Sequence, residues 1–280
     1  MAEGFNCGEW QFREMSRGEM NTDPVEGEFF TPSKLADSVV RESIQNSLDA
    51  RAGNDPVVVR FFISGDEHAL SPSVAKHYFE GLRPHLDSLA VAGLPSENEP
   101  LRYFVVEDFG TRGLCGDPHQ EDDTDPSGPR NDFFYFWRNI GRSSKRETEL
   151  GRWGLGKTVF PASSRINTFF GLTVRHDDHR RFLMGQSVLK IHRIRHHRYC
   201  PYGFCATFER GLPLPLEDPG VLNRFCEDFG LKRKNEPGLS IVIPYAREEE
   251  IQMEDVDRSV ITQYFYPILS QDLVIDSGET

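Results

Sequence analysis

Three groups of residues have the types and spacing to do chemistry. Wound at about 100° per residue, the run RESIQNSLDA puts Glu42, Asn46 and Asp49 on one stripe with Gln45 beside them, while Val40, Ile44 and Leu48 point the other way. Glu42 can polarise an attacking water. One turn later, Asn46 can present its side-chain oxygen to Mg²⁺, which prefers hard oxygen ligands and keeps several waters. Such a stripe is also what a plain solvated helix face looks like, so it decides nothing alone. In EDFGTRGL, Asp108 ends an apolar strand and can accept a hydrogen bond from an exocyclic amine, and Gly110 and Gly113 let the backbone pass close to a flat ring. Any strand exit can read this way. In GRWGLGKT, Gly151, Gly154 and Gly156 offer backbone N–H groups to phosphates and Lys157 adds charge.

The elements that must position these groups follow from pattern. TPSKLADSVVRESIQNSLDA reads as a helix with Thr31 as cap and Pro32 at its first position. VVVRFFIS (57–64) and LRYFVVEDFG (101–110) read as strands, and SPSVAKHYFEGLRPHLDSLA as a helical region broken or kinked at Pro84. The acidic stretch CGDPHQEDDTDPSGPRND is a loop, and FFYFWRNIG a short buried helix. RINTFFGLTV and FLMGQSVLKIHRI form a hairpin across RHDDHRR; GFCATFE and LSIVIPYA are further strands. A helix at 255–269 and a strand at 273–275 close the chain. Helices early and strands late predict an α+β sandwich.

GRWGLGKT also matches the P-loop pattern G-x-x-x-x-G-K-[ST] letter for letter. A P-loop needs an apolar strand before its first glycine, and a later strand carrying an aspartate for magnesium. Here Ile140 and GRSSKRETEL precede it, and RFLMGQSVL and LSIVIPYA end without an acid. The context is missing, and a P-loop phosphotransferase stays as the third reading.

The bulk composition narrows the class. In 280 residues, 38% hydrophobic and 27% charged content suits a folded domain, and no apolar run is long enough for a membrane helix. The N-terminal residues lack a basic start and an apolar stretch, which predicts a cytoplasmic protein. Five scattered cysteines read as reduced thiols. A zinc site can be drawn from His192, His196, His197, Cys200 and Cys205, but the C-x4-C spacing is loose and no second pair follows, so a basic strand edge entering a turn is preferred. The net charge of −12 argues against a large nucleic-acid footprint on this domain, though other domains could carry one, and Arg193, Arg195 and Arg198 form a dense basic patch.

Taken in order, RESIQNSLDA, EDFGTRG and GRWGLGK resemble the N box and the two glycine boxes of the GHKL ATPases. These include type II topoisomerase ATPase subunits, ninety-kilodalton heat-shock chaperones, MutL proteins, microrchidia ATPases and histidine kinases. The resemblance spans residues 31–245 and implies the Bergerat fold: an α+β, two-layer α/β sandwich with a mixed, mostly antiparallel sheet and helices on one face. ATP would lie between helices and a lid at about 114–150. The resemblance makes Glu42 the general base, Asn46 the Mg²⁺ ligand and Asp49 a supporting contact. Asp108 would read the adenine amino group, Gly110 and Gly113 would line the base, and Gly151, Gly154, Gly156 and Lys157 would hold phosphates. Histidine kinases generally lack the glutamate, so Glu42 points to hydrolysis over phosphotransfer.

Three departures stand out. The first glycine box is one residue longer than the usual D-x-G-x-G, which loosens the assignment of Gly113. Ser240 stands where a threonine often supports the adenine. A cation from a following domain, which completes the γ-phosphate site in relatives, has no counterpart here. The expected organisation is a strap at 1–30, an ATP-binding domain at 31–250, and a helix and strand at 251–280 opening a following domain, so the chain reads as a fragment. Expected partners are ATP or ADP and an ATP-dependent homodimer, with closure switching an output domain. The alternative is a nucleotide-gated binding module with little turnover.

Overall fold

The computed structural model describes residues 8–20, 35–89, 93–122, 130–138 and 158–277. Its frame is a large mixed sheet of strands β1 (Glu9–Glu14), β2 (Val57–Ile63), β3 (Tyr103–Phe109), β4 (Thr168–Val174), β5 (Arg181–Val188), β6 (His192–Ile194), β7 (His197–Glu209), β8 (Leu212–Leu214), β9 (Gly238–Pro244) and β10 (Leu273–Ser277). The main order is β1-β7-β5-β4-β9-β3-β2-β10, with β6 and β8 added to β7. Every pairing is antiparallel except β10 with β2. An α+β chain with a mostly antiparallel sheet is therefore what the sequence builds.

Helices cover both faces, not one. Val57, Val59, Phe61, Phe104, Val106, Ile241 and Ile243 meet α1 (Leu35–Asp49), α4 (Asp132–Trp137), α5 (Val159–Ala162) and α7 (Met253–Leu269) in one cluster. Phe62, Tyr103, Val105, Phe170, Leu172 and Val242 meet the other side, formed by α2 (Pro72–Ala75), the 3₁₀ turn at Lys76–Tyr78, α3 (Arg83–Asp87) and α6 (Pro219–Asp228). The reason is visible in the strands. YFVVEDF and TFFGLTV are buried at consecutive positions, and a strand that is apolar on both faces needs cover on both. Pro84 stands in the first turn of α3, so it starts a helix where the sequence predicts a break.

The two ends of the chain join the same sheet. The expected strap contributes β1, an edge strand that pairs with β7. The segment at 251–277 extends the sheet as well: β10 aligns with β2 from Leu273 opposite Val57, and α7 buries Val256 and Val260 in the cluster that holds α1. Tyr264 donates to the Arg41 carbonyl at 3.0 Å, and burial pushes its phenol up to about 12. Pro267 lacks an N–H and crowds the preceding turn, which accounts for the kink at Tyr264, where φ is −126°. Within the expected lid, Leu114 and the helix from Asp132 to Trp137 pack into the core, while Asp117, His119, Glu121, Asp122 and Arg130 are exposed. Phe133 and Trp137 are buried, and Asn131 caps α4 by accepting from Phe134 N at 2.8 Å. Residues 123–129 and 139–150 lie outside the described residues.

A buried histidine pair ties α3 to β6 beneath Phe12 of β1. His192 Nδ1 lies 2.8 Å from the Lys190 carbonyl, which can only accept, so that nitrogen carries the proton. His192 Nε2 is then the acceptor for His85 Nδ1–H at 2.7 Å. Phe12 stacks on His85 with centroids 4.2 Å apart, and Tyr199 edges it. Burial, and then the neighbouring His192, pull the His85 pKa from 6.5 down to about 4. Between those values the unfolded chain takes up a proton that the folded chain refuses, so stability is lost as pH falls from 6.5 toward 4. Replacing His85→Gln is expected to flatten the fall of Tm across this window. An unchanged slope in thermal melts would show that the pair does not control it.

Candidate functional site

The two ends of α1 and β3 are fixed to each other by the backbone. Ala52 N donates to the Gly110 carbonyl at 3.0 Å, and Arg112 N to the Ala50 carbonyl at 2.9 Å. Arg112 Nη1 also donates to the Asp49 carbonyl at 3.0 Å, closing the helix C-terminus with a cation. Asp132 accepts from Arg112 Nε at 2.7 Å and raises the guanidinium pKa, so the clamp stays charged. The helix stripe is thereby held at the exit of β3.

On that stripe Asn46 Nδ2 donates to Glu42 Oε1 at 2.7 Å, and Gln45 Nε2 to Asp49 Oδ1 at 3.0 Å. Glu42 and Asn46 are half-buried and Asp49 is exposed. One step round the helix, Ser43 and Ser47 face the sheet and are buried. Ser47 Oγ lies 2.8 Å from the Ser43 carbonyl and 3.2 Å from Asp108 Oδ2. The hydroxyl shares its one proton between these two acceptors, and a carboxylate oxygen has two lone pairs, so Oδ2 keeps acceptor capacity. Asp108 Oδ1 is fully engaged, by Thr111 Oγ1 at 2.6 Å and Leu239 N at 2.8 Å. Ser47 thus docks α1 against Asp108, with Asn46 beside it in the helix and Glu42 one turn before Asn46.

Ser240 does not join them. Strand alternation turns it to the opposite face, where it donates to Glu107 Oε1 at 3.0 Å and accepts from Arg233 Nε at 2.8 Å. The hydroxyls beside Asp108 are those of Ser47 and Thr111, which correct that expectation. Gly110 and Gly113 have positive φ, at 77° and 65°, and both are hemmed in by backbone. A Cβ on Gly113 would collide with the Val174 carbonyl and lie 2.7 Å from Thr173 Oγ1. Thr173 in turn donates to the Gly238 carbonyl at 2.8 Å and accepts from Leu114 N at 2.9 Å. The glycine requirement here comes from close approach of β4 and β9.

The neighbour of Asp108 on β3 faces the other way into a charged cluster. Glu107 is wholly buried and accepts from Arg60 Nη1 at 2.8 Å, Lys232 N at 2.9 Å and Arg233 N at 3.2 Å. The Arg233 guanidinium is also wholly buried; it donates to the Asp108 and Leu239 carbonyls and lies 3.8 Å from Asp108 Oδ1. Burial pulls its pKa down, and Asp108 and Glu107 oppose that pull. Two carboxylates and two guanidiniums balance. Reasoning from the motifs alone missed Glu107, Arg60, Ser47, Thr111 and Arg233. A signal was present: VVVRFFI carries one cation in an apolar strand, and strand pairing puts Arg60 opposite Glu107.

The phosphate half of the expected site, Gly151, Gly154, Gly156 and Lys157, lies outside the described residues. The helix after it, α5, runs only from Val159 to Ala162, with Thr158 at its N-cap and Pro161 inside. A P-loop helix is normally several turns long. Cys200 and Cys205, drawn above as zinc ligands, are buried strand residues of β7, and no metal-binding group of three or more His, Cys, Asp or Glu occurs among the described residues. No helix among the described residues is long and apolar enough to cross a membrane. Mg²⁺ has an oxygen ligand available in Asn46 Oδ1, whose amide nitrogen is turned to Glu42; a cation that keeps waters and shares substrate phosphates fits so sparse a set. No protein-family model and no curated protein matches the chain.

Removing the Arg233 guanidinium leaves two buried carboxylates short of donors. Arg233→Ala is expected to cost roughly 3–5 kcal/mol, measured as a lower urea midpoint. A loss under about 1 kcal/mol would mean that this cluster does not hold β3 against β9.

Proposed function

We propose that the chain is a GHKL-type, Mg²⁺-dependent ATPase module in a Bergerat-like arrangement. The observation that carries this is the hydrogen-bonded pair Glu42 and Asn46, one turn apart on the helix whose Ser47 meets Asp108, a carboxylate with an acceptor oxygen left for a ligand. No single motif predicts that juxtaposition. Asp108 Oδ2 would accept from the adenine amino group, with Thr111 and Leu239 N holding the carboxylate in orientation. Asn46 donates its amide N–H to Glu42, which turns its Oδ1 toward a cation. Mg²⁺, when bound, would neutralise phosphate charge. Glu42 would take the proton of the water that attacks the γ-phosphorus, as the bond to the β–γ bridging oxygen breaks and ADP leaves. Phosphate contacts by Gly151, Gly154, Gly156 and Lys157, ATP-dependent homodimerisation and switching of an output domain rest on the sequence resemblance.

The low-turnover reading draws on one feature. The hydrogen bond from Asn46 Nδ2 occupies Glu42 Oε1 and takes part of the carboxylate's acceptor capacity away from an attacking water. A P-loop enzyme is disfavoured by the brevity of α5. Glu42→Ala is expected to cut phosphate release by about 10²-fold or more while leaving calorimetric Mg-ATP binding intact. Unchanged turnover of the full-length protein carrying that variant would remove the general-base role, and Mg-ATP binding without phosphate release by the full-length wild type would establish the gated module. Asp108→Asn should weaken Mg-ATP binding by about 10- to 100-fold, since a hydrogen bond to a charged group contributes about 1.5–3 kcal/mol. Equal affinity would exclude Asp108 as the adenine contact. Thr158→Ala should leave affinity unchanged; loss of metal-dependent binding there would restore the P-loop reading.

A further inference from the structure

The basic run singled out in the sequence becomes a projecting ribbon. Chain segments 192–194 and 197–199 form a tight hairpin, His192 opposite Tyr199 and Ile194 opposite His197, with Arg195 at φ 54° in the turn. It extends beyond β5, whose pairing with β7 covers only Tyr202 to Cys205. The end of β1 lies alongside: Glu14 registers with Tyr199, and Met15 N donates to the Arg198 carbonyl at 2.7 Å. Arg198 donates back to the Glu19 carbonyl at 3.1 Å. The turn after β1 therefore brings Arg13 and Arg17 to the same corner as Arg193, Arg195 and Arg198.

Charge accounting sets this corner apart. Five arginines meet two glutamates there, in a chain whose net charge is −12. Glu19 is taken by Arg13 at 2.5 Å and Glu14 by His197 at 2.8 Å. Arg17, Arg193, Arg195 and His196 are exposed, and none of them makes an ion pair among the described residues. Some other exposed cations are answered, Arg83 by Asp87, Arg102 by Asp66, Arg180 by Glu217 and Arg258 by Asp255; Arg41, Lys76, Arg210, Lys232 and Lys234 make no ion pair among the described residues, but they do not gather five to one corner. Concentrated positive charge in excess of its local acids is a binding surface for a polyanion.

We propose that this ribbon binds the phosphate backbone of a nucleic acid. An acidic protein partner fits less well, because protein interfaces are anchored by buried aromatic or aliphatic groups. Among the described residues, the exposed large hydrophobics lie on α7 and β10, at Ile261, Phe265, Tyr266, Leu269 and Val274, and only Met20 is near the basic corner. The corner supplies charge without an apolar anchor, which is the footprint of backbone contacts. A narrow strand ribbon also fits the width of a duplex groove. The acidic remainder of the surface would be held away from the phosphates, so the footprint is small and the affinity depends on a few arginines. This inference does not depend on the nucleotide reading.

Fluorescence anisotropy of the full chain with labelled duplex and single-stranded DNA tests it. With roughly four phosphate contacts, affinity should fall by about 10²-fold between about 50 and 200 mM salt. The double variant Arg193→Gln/Arg195→Gln should bind at least tenfold more weakly, with a salt slope smaller by about two. Arg83→Gln/Arg258→Gln, which changes charge equally on paired surface residues, should bind as wild type, and thermal melts of each variant confirm folding. Absence of binding at about 50 mM salt, equal loss in both double variants, or competition by polyglutamate as effective as by DNA would overturn the proposal.

Discussion

Two adjacent carboxylates at the end of a buried strand set the terms for the surrounding structure. β3 alternates its side chains, so Glu107 and Asp108 enter opposite faces of the sheet, and neither face offers bulk water. Each must be answered locally. On one face Arg60 and the backbone of the 232–233 turn answer Glu107; on the other, Thr111, Ser47 and Leu239 N answer Asp108. Arg233 crosses between them at the sheet end, bonded to Ser240 on one side and to the Asp108 carbonyl on the other.

Answering those charges also fixes geometry. The donors to Asp108 come from α1, the loop after β3 and the start of β9, so satisfying one carboxylate holds three elements in register. Gly238 makes this possible: at φ 141°, a Cβ there would lie 2.6 Å from Asp108 Oδ1 and 2.7 Å from Arg233 Nη1. With α1 held this way, the Glu42–Asn46 stripe is carried to the strand exit without any direct bond of its own to the sheet. The half-buried pair is poised over the site by packing of the serine stripe next to it, and its own polar atoms stay available for chemistry.

The sheet separates the two proposed sites. The proposed nucleotide site lies where α1 meets the exit of β3, while the basic ribbon hangs from β7 and β1 toward the opposite edge of the strand order. Any coupling between them would run through β7, β5, β4 and β9, which are continuous in the sheet. The apolar row on α7 lies toward the third side, beside β10. Three distinct surfaces therefore project from a single core.

Much of this was legible in the residues. Periodicity marked α1, β2, β3, the β4–β5 hairpin, β9 and α7, because each has a strong apolar pattern that local sequence dictates. β1 and α6 carry signals that are short: EWQFRE alternates Trp10 and Phe12 with polar residues, and PGVLNRFCED starts behind an Asp218 cap with Pro219 in its first turn, but only pairing with β7 and cover over Phe170 fix what they become. Types and spacing also determined that Glu42 and Asn46 share a stripe and that Asp108 ends a strand. Which groups face Asp108 was decided in three dimensions. Ser240 and Leu239 are neighbours in sequence, yet strand alternation sends the Ser240 hydroxyl to Glu107, while the backbone N–H of Leu239 reaches Asp108. A hydrogen bond depends on a direction in space, and composition along the chain does not carry that direction until the sheet is assembled.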